Sequence, residues 1–332
     1  MSVTIKGLYK STEVGRMGYG LMNLTWRPQQ TEDEQAFQAI KGAIDAGSTM
    51  LNSGEFYGQD DPEANLKLLN RFFTKYPDYA SKCFLSVKGA VNLEKLQPDC
   101  STENLRKSVE NINRLLGGRK RLDLFEPARV DINVPIEQVM KDLRALVEEG
   151  LFDYIGLSEC SADTIRRAHA VAPISILEEE YSPFTLDMEE NKVLETCKEL
   201  GIVIAAYSPI SRGLLSGTIE KPSDIAEGDG RHHFDRFQAQ NWDENYARIS
   251  KFKEIAARKA VTPAQLSLAW ILKQWPEGFI PIPGSTRPHV VVENLKALDV
   301  NISDEEDKEI RKVTSGVIGG RYPPFLMPML SR

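Results

Sequence analysis

The sequence predicts a (β/α)8 barrel of the TIM type, with extra helices and a long loop after the seventh strand. Three observations predict it. Short apolar runs and stretches of helical periodicity alternate almost to the end of the 332-residue chain. No antiparallel hairpin signal joins one run to the next, so the strands are parallel and covered by helices. The rival doubly wound sheet wants a dinucleotide fingerprint, but Gly18-Tyr19-Gly20 is followed by Leu21-Met22-Asn23, without a third glycine or a helix at the right distance.

The eight runs are MGYGL (17–21), STMLN (48–52), CFLSVK (83–88), LDLFEP (122–127), YIGLS (154–158), ISILEEEY (174–181), VIAAY (203–207) and FIPIP (279–283). Helices are predicted at 31–47, 62–75, 101–117, 136–150, 161–171, 190–200, 245–259, 262–275, 288–298 and 303–314. The first opens with Thr31 and Glu34 as a capping box, carries Phe37, Ile40 and Ile44 on one face and stops at Gly47. Leu105, Val109, Ile112 and Leu116 line one face of the third, as Ile136, Val139, Met140, Leu143 and Leu146 do in the fourth. Thr262 caps another, with Pro263 in its first turn.

VTIKGLYK (3–10) forms a short cap over the lower end of the barrel. Residues 208–244, rich in Gly, Ser and Asp, make the long connection after the seventh strand, a place for a functional lid. The tail 319–332, GGRYPPFLMPMLSR, is apolar and proline-rich, and the sequence leaves its position open. No Ser/Gly linker divides the chain, so residues 1–332 read as one domain.

With 41% hydrophobic and 27% charged residues the composition is that of a globular protein. A net charge of -7 gives no general attraction to phosphate backbones or anionic lipid, and nucleic acid is not an expected partner. The amino-terminal segment has no apolar signal core, and nowhere do 18 apolar residues run together, so neither secretion nor a membrane span is expected. The expected address is the cytoplasm, with the nucleus also open. Cys83, Cys100, Cys160 and Cys197 lack a CxxC spacing and read as reduced structural thiols. His232-His233 lacks HExxH spacing and reads as a solvated pair, so no metal is expected. Without a GxSxG elbow, Ser158 has no case as a nucleophile. Oligomeric state is not legible.

In such barrels chemistry gathers at the carboxyl ends of the strands. Those ends carry Gly20 to Asn23, Asn52 with Tyr57 in its loop, Lys88, Ala128 with Arg129, Ser158 with Glu159, Glu178, Tyr207 and the segment 284–287. Tyr57 and Lys88 make a chemical pair, because an ammonium beside a phenol favours the phenolate and lowers its pKa toward working pH. Such a tyrosine can deliver a proton to a carbonyl oxygen while a nicotinamide supplies hydride. The plainer reading is that Lys88 pairs with a nearby acid and Tyr57 packs. A Schiff-base lyase would also suit a strand lysine, but leaves Tyr57 and the eighth-strand segment unexplained. Alternation turns Glu178 and Glu180 to one side and Glu179 to the other, and at least one of these acids needs a fixed partner.

The ordered motifs Tyr57-Gly58, SVKG (86–89), ARVD (128–131), GLSE (156–159), EYS (180–182), AYSPISRGLLSG (206–217) and IPGSTR…EN (282–294) resemble the aldo-keto reductases over nearly the whole chain. GEFYG, FLSVKG, ARVDINVPIE and EEEYS look most like the pyridoxal reductase branch, which reduces the aldehyde pyridoxal to pyridoxine with NADPH. The resemblance implies Tyr57 as the acid, Lys88 as its pKa-lowering partner and Asn52 as the residue orienting Lys88. It implies an NADPH/NADP site formed by Gly20, Leu21, Ser158, Glu159, Glu178, Tyr207, Ser208, Gly213, Leu215, Gly284, Ser285, Thr286, Arg287, Glu293 and Asn294. Tyr207 would stack on the nicotinamide and Ser158 would bond its carboxamide, while Ser285 and Arg287 would take the 2'-phosphate. A further basic residue of many members is here Val290.

Glu159 and Glu178 stand where the family commonly has an asparagine and a glutamine. Asn52 stands in the place of an aspartate and Ala128 in that of a histidine. The first change is expected to leave more positive charge near Tyr57 and favour its phenolate; the second opens room beside Trp26 and Arg129 for a ring-bearing aldehyde. The implied substrate is a small aldehyde. A broad aldehyde and ketone reductase and a nucleotide-binding regulatory protein with little turnover are the alternatives.

Overall fold

The computed structural model describes residues 2–95, 97–330 and 332. The chain begins with a hairpin, β1 (Ser2–Lys6) and β2 (Ser11–Gly15), paired antiparallel with Val3 opposite Val14. Then come β3 (Gly18–Gly20), α1 (Met22–Thr25), α2 (Asp33–Asp45), β4 (Met50–Gly54), α3 (Ala64–Lys75) and β5 (Phe84–Gly89). A second, two-residue hairpin, β6 (Val91–Asn92) with β7 (Gln97–Pro98), precedes α4 (Thr102–Leu116), β8 (Leu124–Pro127) and α5 (Ile136–Glu148). The rest is β9 (Tyr154–Ser158), α6 (Ala162–Val171), β10 (Ile176–Glu180), α7 (Asp187–Glu190), α8 (Val193–Leu200), β11 (Val203–Tyr207), α9 (Ala239–Arg258), α10 (Pro263–Gln274), β12 (Phe279–Pro281), α11 (Pro288–Leu295) and α12 (Asp304–Thr314).

Strands β3, β4, β5, β8, β9, β10, β11 and β12 are the eight predicted runs, hydrogen-bonded as one parallel sheet in that order. The first and last strands approach, with Gly20 N donating to Pro283 O at 3.2 Å. The barrel interior is layered. Met50, Phe84, Leu124, Tyr154, Ile176 and Val203 fill its lower part, and Val3, Ile5 and Val14 of the hairpin close it from below. Two residues further along β4, β5, β8 and β10 the inward positions turn polar, with Asn52, Ser86, Glu126 and Glu178, while β9 has Gly156 there and brings Ser158 into register with Glu178. Parallel neighbours in register share a face, so one polar layer follows from the strand pairing.

Several expectations shift. The capping box at Thr31 does not form: α2 starts at Asp33 after Glu32, and the buried Thr31 Oγ1 has no hydrogen-bond partner. The physical reason is competition, since Lys75 of α3 holds Glu34 at 2.6 Å and Arg71 holds Asp33 by two bonds of 2.6 Å. Helix α9 begins six residues before the predicted start at 245. Its early start ends the long connection at Gln238, after 3-10 turns at Ser211–Ser216, Pro222–Asp224, Gly230–His233 and Asp235–Phe237. The Thr262 cap, with Pro263 at the first helical position, is present as predicted.

The tail folds back over the upper mouth. Asn245 of α9 brackets Ile318 with bonds of 2.8 and 2.9 Å, and Arg236 Nε donates to Gly319 O at 3.1 Å. All four cysteines are buried and unbridged, and among the described residues no helix is long and apolar enough to cross a membrane.

Candidate active site

Tyr57 enters the site through a short turn after β4, where its N–H donates to Gly54 O at 3.2 Å. A Cβ on Gly54 would meet the Tyr57 ring at 2.8 Å, so only glycine lets the ring lie against the strand end. Asn65 of α3 fixes the neighbourhood: it accepts from Ser53 Oγ at 2.7 Å and donates to Thr25 Oγ1 at 2.7 Å, and Thr25 in turn donates to Tyr57 O at 2.6 Å. Trp26 and Phe56 flank the phenol, with ring centroids 5.8 and 5.4 Å from that of Tyr57. Trp26 keeps 43% of its surface exposed, so it forms the rim.

Lys88 projects from the end of β5 with its ammonium 5.1 Å from the centre of the Tyr57 ring. Its nitrogen donates to Asn52 Oδ1 at 3.0 Å and to Glu178 Oε2 at 2.7 Å, and Asn52 Nδ2 donates to the same Glu178 oxygen at 2.6 Å. The predicted orienting bond from Asn52 is therefore present. The predicted excess of positive charge is not. Glu178 supplies across the barrel the carboxylate that position 52 lacks, and the Glu126 carboxyl group lies 3.9 Å from the ammonium. Burial alone would pull the Lys88 ammonium down, but Glu178, Tyr57 and Glu126 hold it above the usual lysine range. Burial pushes the Tyr57 phenol up to about 12; Lys88 lowers it, and Glu178 and Glu126 work against Lys88. The expected lowering is thus one contribution outweighed by the others, and Tyr57 carries its proton at neutral pH.

A second cluster occupies the mouth at the ends of β9 and β11. Glu159 is buried, takes a bidentate pair from Arg321 at 2.7 and 2.7 Å, and accepts from Tyr207 Oη at 2.6 Å. Burial would raise the Glu159 carboxyl, but Arg321, then Arg129 and Tyr207, hold it below the usual range. Tyr322 Oη lies 3.1 Å from Tyr207 Oη and accepts from Arg129 Nη2 at 3.2 Å, while Arg129 Nη1 donates to Ser158 Oγ at 3.3 Å. Arg212 pairs with Glu180 at 3.1 Å and lies over the rings of Phe234 and Tyr322. Glu159, Ser208, Ser211 and Arg212 all hold positive φ, between 48 and 55°. Each such residue costs about 1 kcal/mol or more, and strain of this kind gathers where backbone serves a site.

The third group follows β12. Ser285 O accepts from Tyr19 Oη at 2.6 Å, Thr286 O from Gln35 Nε2 at 2.6 Å, and Glu293 O from Gln265 Nε2 at 2.9 Å; Asn294 is buried and Gly284 lies between. The exposed Arg287 has no ion pair among the described residues. Gly20 and Leu21 stand at the end of β3, with Gly213 and Leu215 in the turn after β11. Among the described residues no side-chain bond joins the third group to Tyr57 or Lys88. Glu126, Arg321 and Tyr322 were missed by sequence reasoning; the inward parity of Glu126 with Leu124 was a signal for the first.

The aldo/keto reductase family model matches residues 16–315, nearly all of the barrel just described. The chain belongs to the aldo/keto reductase family. "Probable pyridoxal reductase 2" of Schizosaccharomyces pombe is 41% identical over 325 residues, covering 96% of this chain and 98% of that protein. An aldo-keto reductase of the same organism whose name specifies NADP(+) is 39% identical, with 98% of this chain and 96% of that one covered. The solved glycerol dehydrogenase of Gluconobacter oxydans superposes with a TM-score of 0.83 at 21% identity over 97% of this chain and 98% of that one, a likeness of fold. As an aldo/keto reductase the chain is an oxidoreductase of small-molecule carbonyls, and the family uses nicotinamide cofactors.

Proposed function

We propose that this aldo/keto reductase reduces an aromatic aldehyde, pyridoxal to pyridoxine, with NADPH. The observation that carries the reading is the buried Tyr57–Lys88–Glu178 constellation beneath the aromatic rim of Trp26 and Phe56. The likeness to a protein named a pyridoxal reductase supports the choice of substrate. So does Ala128, a small side chain beside Arg129 where the family commonly has a histidine. Buried, unbridged thiols suit a cytoplasmic setting.

The donor chemistry of the strand ends fits the cofactor. Arg287 has no acid partner among the described residues and its backbone N–H donates to the Ser285 hydroxyl at 3.2 Å, and a guanidinium and a hydroxyl this close in sequence are groups a 2'-phosphate takes. Ser158 offers its hydroxyl to the carboxamide, whereas Glu159 and Glu178 are engaged by Arg321 and Lys88. When bound, NADPH supplies hydride to the carbonyl carbon. Tyr57, kept as a phenol by burial, gives its proton to the carbonyl oxygen, and Lys88 offsets the phenolate that results. Tyr57 is itself only 6% exposed, and its burial beside Trp26 and Phe56 limits the water at its hydroxyl.

The test mixes purified protein, NADPH and pyridoxal and follows nicotinamide absorbance. Tyr57→Phe lowers kcat by roughly 10²–10⁴-fold and leaves NADPH binding intact. A panel of other aldehydes and ketones, compared by kcat/KM, separates pyridoxal from a broad specificity. One observation favours a second reading, a nucleotide-binding regulatory protein: Arg321 and Tyr322 of the tail engage Glu159 and Tyr207 at the mouth. Tight NADPH binding with no oxidation by any aldehyde would select it.

A further inference from the structure

Glu126 lies on the interior face of β8, in register with Lys88 of β5, and has no exposed surface. Its Oε1 is 3.9 Å from Lys88 Nζ and accepts from Ser86 Oγ at 3.5 Å, and its Oε2 finds no donor; the same ammonium is held by Glu178 at 2.7 Å. A Cβ on Gly156 of β9 would stand 2.9 Å from that same Oε2. The missing side chain at 156 is therefore the seat of the Glu126 carboxyl.

Two buried carboxyls sharing one ammonium do not both ionise. Glu178 holds the charge, because its Oε2 takes bonds from both Lys88 and Asn52. Glu126 has only the weak Ser86 bond, and an oxygen without a donor is suited to carrying a proton and donating it. The other groups facing this pair are Lys88 of β5, Tyr57 after β4, the neutral Asn52 of β4 and Ser158 of β9, and Arg129 beyond β8, whose charge acts on Glu178.

We propose that Glu126 is a positioning residue that stays protonated, so that a single carboxylate faces Lys88. Its effect on rate rests on the reductase reading. When the Tyr57 O–H bond breaks and the substrate oxygen takes the proton, a phenolate forms beside Lys88. A second carboxylate would oppose that charge. Burial, then the charge of Glu178, keep the Glu126 proton well above the usual carboxylate range against the pull of Lys88. As pH rises and that proton leaves, Tyr57 becomes a weaker acid and turnover falls.

Infrared difference spectra at pH 8 and the pH dependence of kcat test this on wild type, Glu126→Gln and Glu178→Gln. The expected wild-type spectrum holds a protonated-carboxyl band that both variants lack: Glu126→Gln has no acid there, and in Glu178→Gln the remaining acid ionises to face Lys88. Glu126→Gln keeps a neutral donor, loses under about tenfold in kcat, and its alkaline decline moves to higher pH. A wild-type band unchanged in Glu126→Gln overturns the proposal whether or not any aldehyde is reduced, and superposable pH profiles overturn its role in rate. The band without turnover on any aldehyde upholds the proton on Glu126 and sinks the reductase reading alone.

Discussion

Lys88 and Glu178, on strands β5 and β10, meet across the barrel interior at 2.7 Å. The carboxylate that faces the lysine thus comes from the far side of the barrel, while the adjacent strand β4 offers only the amide of Asn52. The resemblance implies that the family commonly has the opposite distribution, an acid at the place of Asn52 and an amide at that of Glu178. Moving the charge keeps the pair.

That exchange is testable by a double-mutant cycle. Glu178→Gln leaves a buried ammonium with reduced compensation and costs about 3 kcal/mol, the lower end for breaking such a pair because Glu126 is near. Asn52→Asp alone crowds a further acid against Glu178 and also destabilises. Together they restore one carboxylate opposite Lys88, so urea unfolding is expected to give a favourable coupling of about 1–3 kcal/mol. Strict additivity would mean that the two positions do not share the ion-pair role.

Ala128 is buried, and its neighbour Arg129 reaches to Ser158 and Tyr322. Ala128→His places an imidazole in the room assigned to the ring of the substrate. The expected outcome is a fall of about tenfold or more in kcat/KM for pyridoxal, with a small aliphatic aldehyde unchanged or improved by the new donor. Faster turnover of pyridoxal with nothing else lowered would make the space argument wrong.

The helix caps give a contrast away from the site. Thr262 Oγ1 accepts from Gln265 N at 3.1 Å while Gln265 Oε1 accepts from Thr262 N at 3.0 Å, a complete box. Thr262→Ala is expected to cost about 1 kcal/mol in urea unfolding without altering kcat. Thr31→Ala, at the box that did not form, removes a buried hydroxyl with no partner and is expected to cost less. Equal losses would show that the cap bonds are not what stabilises α10.

The strands were legible because barrel strands are buried on both faces and read as unbroken apolar runs. Glu126 hid inside one of those runs, since a single acid in LDLFEP does not disturb its apolar reading. The strand-end residues were legible as a set, but their pairing was not: Glu178 lies 90 residues from Lys88, and Arg321 lies 162 from Glu159. Contacts of that range depend on how the barrel closes and where the tail returns. The direction of the Tyr57 shift depended on burial, which no local pattern reveals. The hairpin β1–β2 was visible only as a cap, because its second strand, STEVG, alternates weakly.

Arg321 and Glu159 provide the last prediction. The pair is nearly inaccessible, with side chains 3% and 0% exposed, and it fastens the tail to the end of β9. Because Glu159 is held below its usual range in the folded protein, its contribution is fully present above the unfolded value near about 4.3 and is lost as pH falls through the lower folded value. Arg321→Met leaves a buried carboxyl with only Arg129 and Tyr207 for compensation, and costs about 3 kcal/mol near neutral pH. That cost shrinks below about pH 4, where protonation deprives the wild type of the same interaction. Thermal melts of both proteins from pH 7 to pH 3 measure it: the two Tm curves converge at the acid end. Curves that stay parallel would assign the stabilisation to the packing of Arg321 against Tyr207 and the tail, not to its charge on Glu159.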